Sequence, residues 1–142
     1  MGKSRLRFKL SSSEKPIFVP EKGNINLNET ADALVVKGER FEAVFSKKEG
    51  TLSAYTLNNV PLMSKGLELN LFRAPTDNDK QVSGDWQRKG LYQLQTETGK
   101  WETRQEEDRI TLHIRNCHKG KLGFEYRTEM EYTVNADGSI MV

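Results

Sequence analysis

A chain of 142 residues with 35% hydrophobic and 30% charged content can build one modest core, and 22 basic against 20 acidic residues leave a net charge of +2. The basic residues are scattered rather than gathered in a stripe, which argues against nucleic acid as a partner, and no apolar run has the length of a membrane span. The single Cys117 excludes an internal disulfide and leaves the compartment open.

Period-2 alternation dominates from the start. Leu6, Phe8 and Leu10 alternate with Arg5, Arg7 and Lys9, the pattern of a half-buried strand. Breaks follow at Ser11 to Pro16 and at Pro20 to Asn24, with the short apolar run Ile17-Phe18-Val19 between them. Leu34-Val35-Val36 and Phe41 to Phe45 predict two strands joined at Gly38-Glu39-Arg40. Glu49-Gly50 and Asn58-Asn59 bracket another, Leu52 to Leu57, and both are turn pairs that tolerate left-handed backbone. Leu67 to Phe72 reads as an apolar strand running into Arg73-Ala74-Pro75-Thr76-Asp77-Asn78-Asp79. One short helix is predicted, capped by Ser83, favoured by Asp85 in its first turn, anchored by a buried Trp86 and ended by Gly90.

Strands resume at Ile110 to Ile114. The clearest runs from Phe124 to Val134, with Phe124, Tyr126, Met130, Tyr132 and Val134 on one face and Glu125, Arg127, Glu129 and Glu131 on the other. Asn135 to Ser139 forms a hairpin loop, and Ile140-Met141-Val142 begins a returning strand, as expected of a piece of a longer polypeptide. An uncovered apolar face and an open edge on the strand from Phe124 would favour self-association. The fold class is all-β, an antiparallel β-sandwich with one or two helical turns.

The run from Leu71 to Asp79 resembles the opening of the C-terminal β-sandwich domain in the large β-galactosidases of glycoside hydrolase family 2. Phe45 to Leu52, Trp86 to Tyr92 and the hairpin at Asp137-Gly138 are similar to further stretches of that family. The resemblance implies that residues 1–19 end a preceding immunoglobulin-like domain and its linker. Residues 20–142 would form the N-terminal part of the sandwich, within a larger galactose-mutarotase-like supersandwich. In the family, two glutamates on a separate barrel cleave the galactoside with retention. Such a pair stands roughly 5–5.5 Å apart. The resemblance thus implies no catalytic residue and no cofactor here, with Mg and Na ions in the parent's catalytic domain. The implied partners are the rest of the parent chain and, in the full enzyme, carbohydrate.

Four residues are candidates for organising a loop or a substrate pocket: Arg73, Asp77, Asn78 and Asp79. On one reading, Arg73 is buried and pairs with Asp77 or Asp79, and the loop is locked for structural reasons. On the other, the loop borders the galactoside cleft or the barrel. Asp77-Asn78-Asp79 lacks the spacing of a helix-loop-helix calcium site. His113, Cys117 and His118 suggest zinc only weakly, since no fourth ligand stands nearby, and both histidines are expected at the surface. Trp86, Tyr92 and Trp101 are core candidates. Trp101, between Lys100 and Glu102, is the best placed for stacking on a sugar ring. A free-standing carbohydrate-binding or structural module is the rival reading.

Overall fold

The computed structural model describes residues 22–142, so the strand expected at Arg5 to Leu10 and the proposed domain tail at 1–19 lie outside the described residues. Two antiparallel sheets face each other. The first has five strands in sequence order: β1 (Asn26–Glu29), β2 (Ala33–Lys37), β3 (Phe41–Ser46), β4 (Thr51–Leu57) and β5 (Val60–Pro61). After a long loop and helix α1 (Ser83–Lys89) come the four strands of the second: β6 (Gln95–Gln105), β7 (Arg109–Lys119), β8 (Glu125–Asn135) and β9 (Ile140–Met141).

The alternation read in the sequence becomes the core. Leu34 and Val36 on β2, with Phe41, Ala43 and Phe45 on β3, meet Ile110, Leu112 and Ile114 on β7 and Tyr132 and Val134 on β8. Residues two apart on a strand share a face, so each strand contributes one buried row. Phe45 lies at the centre, edge-on to Tyr132 at 5.1 Å and to Trp101 at 6.5 Å. At one end the layers are tied by the Tyr55 hydroxyl, which donates to the Gly138 carbonyl at 2.6 Å, while Tyr55 stacks on Phe41.

Several expectations are corrected. Leu67 to Phe72 is not a strand. The segment makes one backbone bond to the sheet, Leu67 N–H to Leu52 C=O at 3.0 Å, and with no ladder Leu67, Leu69 and Leu71 are exposed. Ser83 is the first helical residue rather than the cap, which falls at Val82, while Gly90 ends the helix with φ +70° as expected. Trp86 is only half-buried. The eleven-residue β6 was not expected at all. The apolar face of β8 is covered where it was thought open, since Tyr132 and Val134 are wholly buried, although Tyr126 stays 44% exposed.

One close approach fixes the β3–β4 turn to the second sheet. Gly50 has φ +67°, and the buried Asn116 Nδ2 donates to its carbonyl at 2.8 Å. A Cβ on Gly50 would lie 2.1 Å from Asn116 Oδ1. Gly50→Ala therefore meets both the left-handed backbone penalty and the loss of this bond, and should cost about 2 kcal/mol or more. The midpoint of urea unfolding measures it; a midpoint equal to that of the parent chain would show that the turn tolerates a side chain.

Candidate functional site

The long connection between the sheets carries the candidate loop. A single 3₁₀ turn, Asp77–Asp79, follows an irregular backbone from Leu62 to Thr76. Asp79, not Arg73, is its buried member. The Asp79 carboxylate accepts from Thr76 N–H and from Thr76 Oγ1, each at 2.8 Å, and closes a bidentate pair with Arg73 at 2.7 and 2.9 Å. Those donors, the Thr76 amide and hydroxyl above all and then Arg73, hold its carboxyl below the ordinary carboxylate range.

The expectation of a buried Arg73 is corrected, because its side chain is 60% exposed. Arg73 leaves no apolar strand, so nothing forces the guanidinium out of water; it bridges Asp79 and the Trp86 ring, 5.7 Å from the ring centre. Of the other loop candidates, Asp77 is exposed and pairs, among the described residues, with Lys80 at 3.1 Å, while Asn78 is exposed. The sequence thus offered two partners for Arg73, and the structure selects Asp79. Behind the loop, Phe72 meets Trp86 edge-on at 6.5 Å and Tyr92 at 6.0 Å, so one small aromatic group supports loop and helix together.

A cleft of about 960 Å³ opens between this segment and the second sheet. Asn116, His118, Thr128, Met130 and Tyr132 line it from β7 and β8, facing Leu67 to Asn70, Phe72 and Leu91 to Leu94. Lys48, Glu49, Lys65 and Glu68 also line it, two of each sign, so formal charge favours neither anion nor cation. His118 is buried, at 4% exposure, with Nδ1 3.0 Å from Thr96 Oγ1 and Nε2 2.9 Å from Thr128 Oγ1. That corrects the expectation of a surface histidine. Parity carried the signal, because Ile110, Leu112, Ile114, Asn116 and His118 share one face of β7, while His113 and Cys117 lie on the other. The three groups therefore cannot converge on one zinc ion. Trp101 also turns inward: its ring lies against Phe45 and the core, and its buried indole nitrogen has no hydrogen-bond partner among the described residues. A sugar cannot stack on the face packed there.

Residues 37–142 match the family model described as Beta galactosidase small chain. A β-galactosidase of Actinobacillus pleuropneumoniae is 24% identical over 131 residues, covering 89% of this chain and 13% of that protein. One from Pseudoalteromonas haloplanktis is 29% identical over 133 residues, covering 84% and 13%. One from Streptococcus thermophilus is 30% identical over 93 residues, covering 61% and 9%. The chain spans only 13% of the length of the first two relatives.

Two predictions follow from the charges. Because Asp79 gathers both Thr76 donors and two Arg73 nitrogens while Arg73 is mostly exposed, Asp79→Ala should speed hydrogen exchange across 73–79, whereas Arg73→Ala should change global stability by no more than about 1 kcal/mol. Equal exchange rates in the parent chain and Asp79→Ala would refute the lock. Burial lowers the pKa of His118 from its ordinary value of 6.5. The unfolded chain then binds more protons between the lowered value and 6.5, so stability is full above that window and falls as pH drops through it. Urea midpoints from pH 8 to 5 should show the loss, and His118→Gln should lack it.

Proposed function

The chain belongs to the β-galactosidase small-chain family, and from that premise we propose that it is a non-catalytic β-sandwich portion of a β-galactosidase that hydrolyses terminal β-D-galactosides. The observation that carries this reading is the family match over residues 37–142, in a chain whose similar relatives bear that name. The chemistry of the loop agrees with a supporting role. A retaining glycosidase needs a carboxylic acid whose pKa is raised, beside a nucleophilic carboxylate roughly 5–5.5 Å away. Asp79 is pushed the opposite way and is bound to Arg73. The acid/base and the nucleophile would belong to a separate barrel, as would the Mg and Na ions that the family resemblance implies.

We infer two contributions to the parent. Val60, Leu62, Leu67, Leu69 and Leu71 all stand exposed along the segment leading into the loop, which suits packing against another part of the enzyme, the catalytic barrel first among them. The loop from Arg73 to Asp79, held by Asp79 and backed by Phe72 and Trp86, would then present a fixed wall to the carbohydrate pocket. The two sheets would form part of a galactose-mutarotase-like supersandwich.

The test uses the full-length enzyme with Asp79→Ala. A loosened wall should lower kcat/KM for a chromogenic β-galactoside by about 10- to 100-fold while the thermal melt of the whole enzyme stays close to the parent's. Unchanged kinetics would remove the loop from the pocket. The isolated chain should show no turnover. Saturable binding of galactose to it would favour the rival reading, a free-standing carbohydrate-binding module, for which the mixed polar lining of the cleft is the supporting observation.

A further inference from the structure

The turn between β7 and β8 places a leucine where backbone sterics favour asparagine. Gly120 N–H donates to Phe124 C=O at 2.9 Å and Phe124 N–H to Lys121 C=O at 3.1 Å, so Leu122 and Gly123 stand at the centre of a tight turn. Both have positive φ, +55° for Leu122 and +74° for Gly123. A hairpin turn with left-handed backbone at both central residues favours Asn-Gly there, because Asn tolerates that conformation and a bulky apolar residue does not. Leu122 is also 82% exposed, the most exposed large apolar side chain among the described residues, and it takes no part in the core.

Strain of this kind persists only where the surroundings hold it. Helix α1 does so here. Lys121 N–H donates at 2.7 Å to the carbonyl of Lys89, the last residue of α1. The two backbones come close enough to require glycine at position 120, since a Cβ on Gly120 would lie 2.2 Å from that oxygen. Lys121 Nζ stands 5.9 Å from the centre of the Tyr92 ring. The tip is therefore fixed from behind while the Leu122 side chain stands in water. A residue that strains its own turn and packs on nothing in its own chain is placed for a contact made elsewhere.

We propose that Leu122 is a docking knob, seated in an apolar pocket with acidic groups at its rim on another part of the parent polypeptide. The sign of the rim follows from Lys89 and Lys121. Both are exposed and neither has a carboxylate partner among the described residues, whereas Arg88, Lys119 and Arg127 nearby are taken up by Asp85, Glu97 and Glu125. One side chain and two charges bury far less than the roughly 1,000 Å² that a stable contact between separate molecules needs. The pocket is therefore expected on the same polypeptide, where the covalent chain keeps its effective concentration high. A knob already ordered by its turn and by α1 loses little freedom on docking. The inference rests on the reading of this chain as part of a β-galactosidase, and it concerns a surface distinct from the segment between Val60 and Leu71.

Leu122→Asn tests it by the sign of its effect. In the 142-residue chain the substitution relieves the turn and should raise the melting temperature by about 3 °C. In the full-length protein it should instead lower the first thermal transition, because the pocket is left unfilled, while Leu122→Met should keep the parent's value. A benzophenone side chain at position 122 of the full-length protein should, on illumination, cross-link within one polypeptide to a peptide outside these 142 residues. Stabilisation of both proteins by Leu122→Asn, destabilisation of the isolated chain, a cross-link to a second copy or no cross-link would each overturn the proposal. None of these readouts uses turnover. A full-length protein that failed to hydrolyse β-galactosides would strike the functional reading alone, and the melts and cross-links would still decide for or against the knob.

Discussion

The edge-on contact of Phe45 with Tyr132 is the constraint on which the rest of the structure depends. It joins the middle of one sheet to the middle of the other, and both side chains are completely buried. Two large rings at the centre leave little freedom in how the sheets meet, because interiors are packed nearly as densely as organic crystals. The Tyr132 hydroxyl then finds Thr51 Oγ1 at 3.2 Å, so the same side chain that fills the core also ties β8 to β4. A Leu would fill some of that volume and would leave Thr51 without its partner.

From that centre, closure is uneven along the strands. At the Val134 end, the Asn135 to Ser139 turn folds over the core, held by Tyr55 to Gly138 and by Asn135 Nδ2 to Ser139 Oγ at 2.9 Å. Toward Glu125 the sheets separate and the cleft opens. Exposure on the inner row of β8 rises from nothing at Val134 and Tyr132 to 44% at Tyr126. The row also changes chemistry, because β7 follows Ile110, Leu112 and Ile114 with Asn116 and His118. Asn116 Nδ2 is taken up by Gly50 and the His118 ring by Thr96 and Thr128, whereas the buried Asn116 Oδ1 has no hydrogen-bond partner among the described residues.

Much of the first sheet was legible because its signal is local. Phe41, Ala43 and Phe45 alternate strictly, and Gly50, Asn58 and Asn59 all take positive φ where turns were read. β6 was hidden by its own bulge. Thr96 and Thr98 reach inward before Gly99, whereas Trp101 and Gln105 do so after it, so the period-2 pattern changes phase within one strand. Leu67 to Phe72 failed for the opposite reason. Its alternation is real, but a strand also needs a neighbour for its N–H and C=O groups, and that lies in topology rather than in local pattern. The resemblance of the Leu71 to Asp79 run to the β-galactosidases held, since the family match includes it. What the run could not reveal was that Asp79 rather than Arg73 is the buried partner, because burial there depends on Thr76 curling back over the carboxylate.

That exchange of roles changes what the loop is able to do. A buried Arg needs its carboxylate, and losing either partner would unsettle the fold. An exposed Arg73 over a half-buried Trp86, tethered by a buried Asp79, is a different device. The carboxylate is fixed from behind by Thr76, so the guanidinium is aimed without being consumed: an Arg has five N–H donors, and Asp79 engages two of its nitrogens. Nη1 also reaches the Ala74 carbonyl at 3.5 Å, and the side chain as a whole is 60% exposed. Any acceptor that approached, whether a backbone carbonyl of a neighbouring domain or a hydroxyl of a bound sugar, would meet a group already held in place. The ordering entropy of a long side chain would have been met before contact, which is the physical advantage of building such a residue on a locked loop instead of a mobile one.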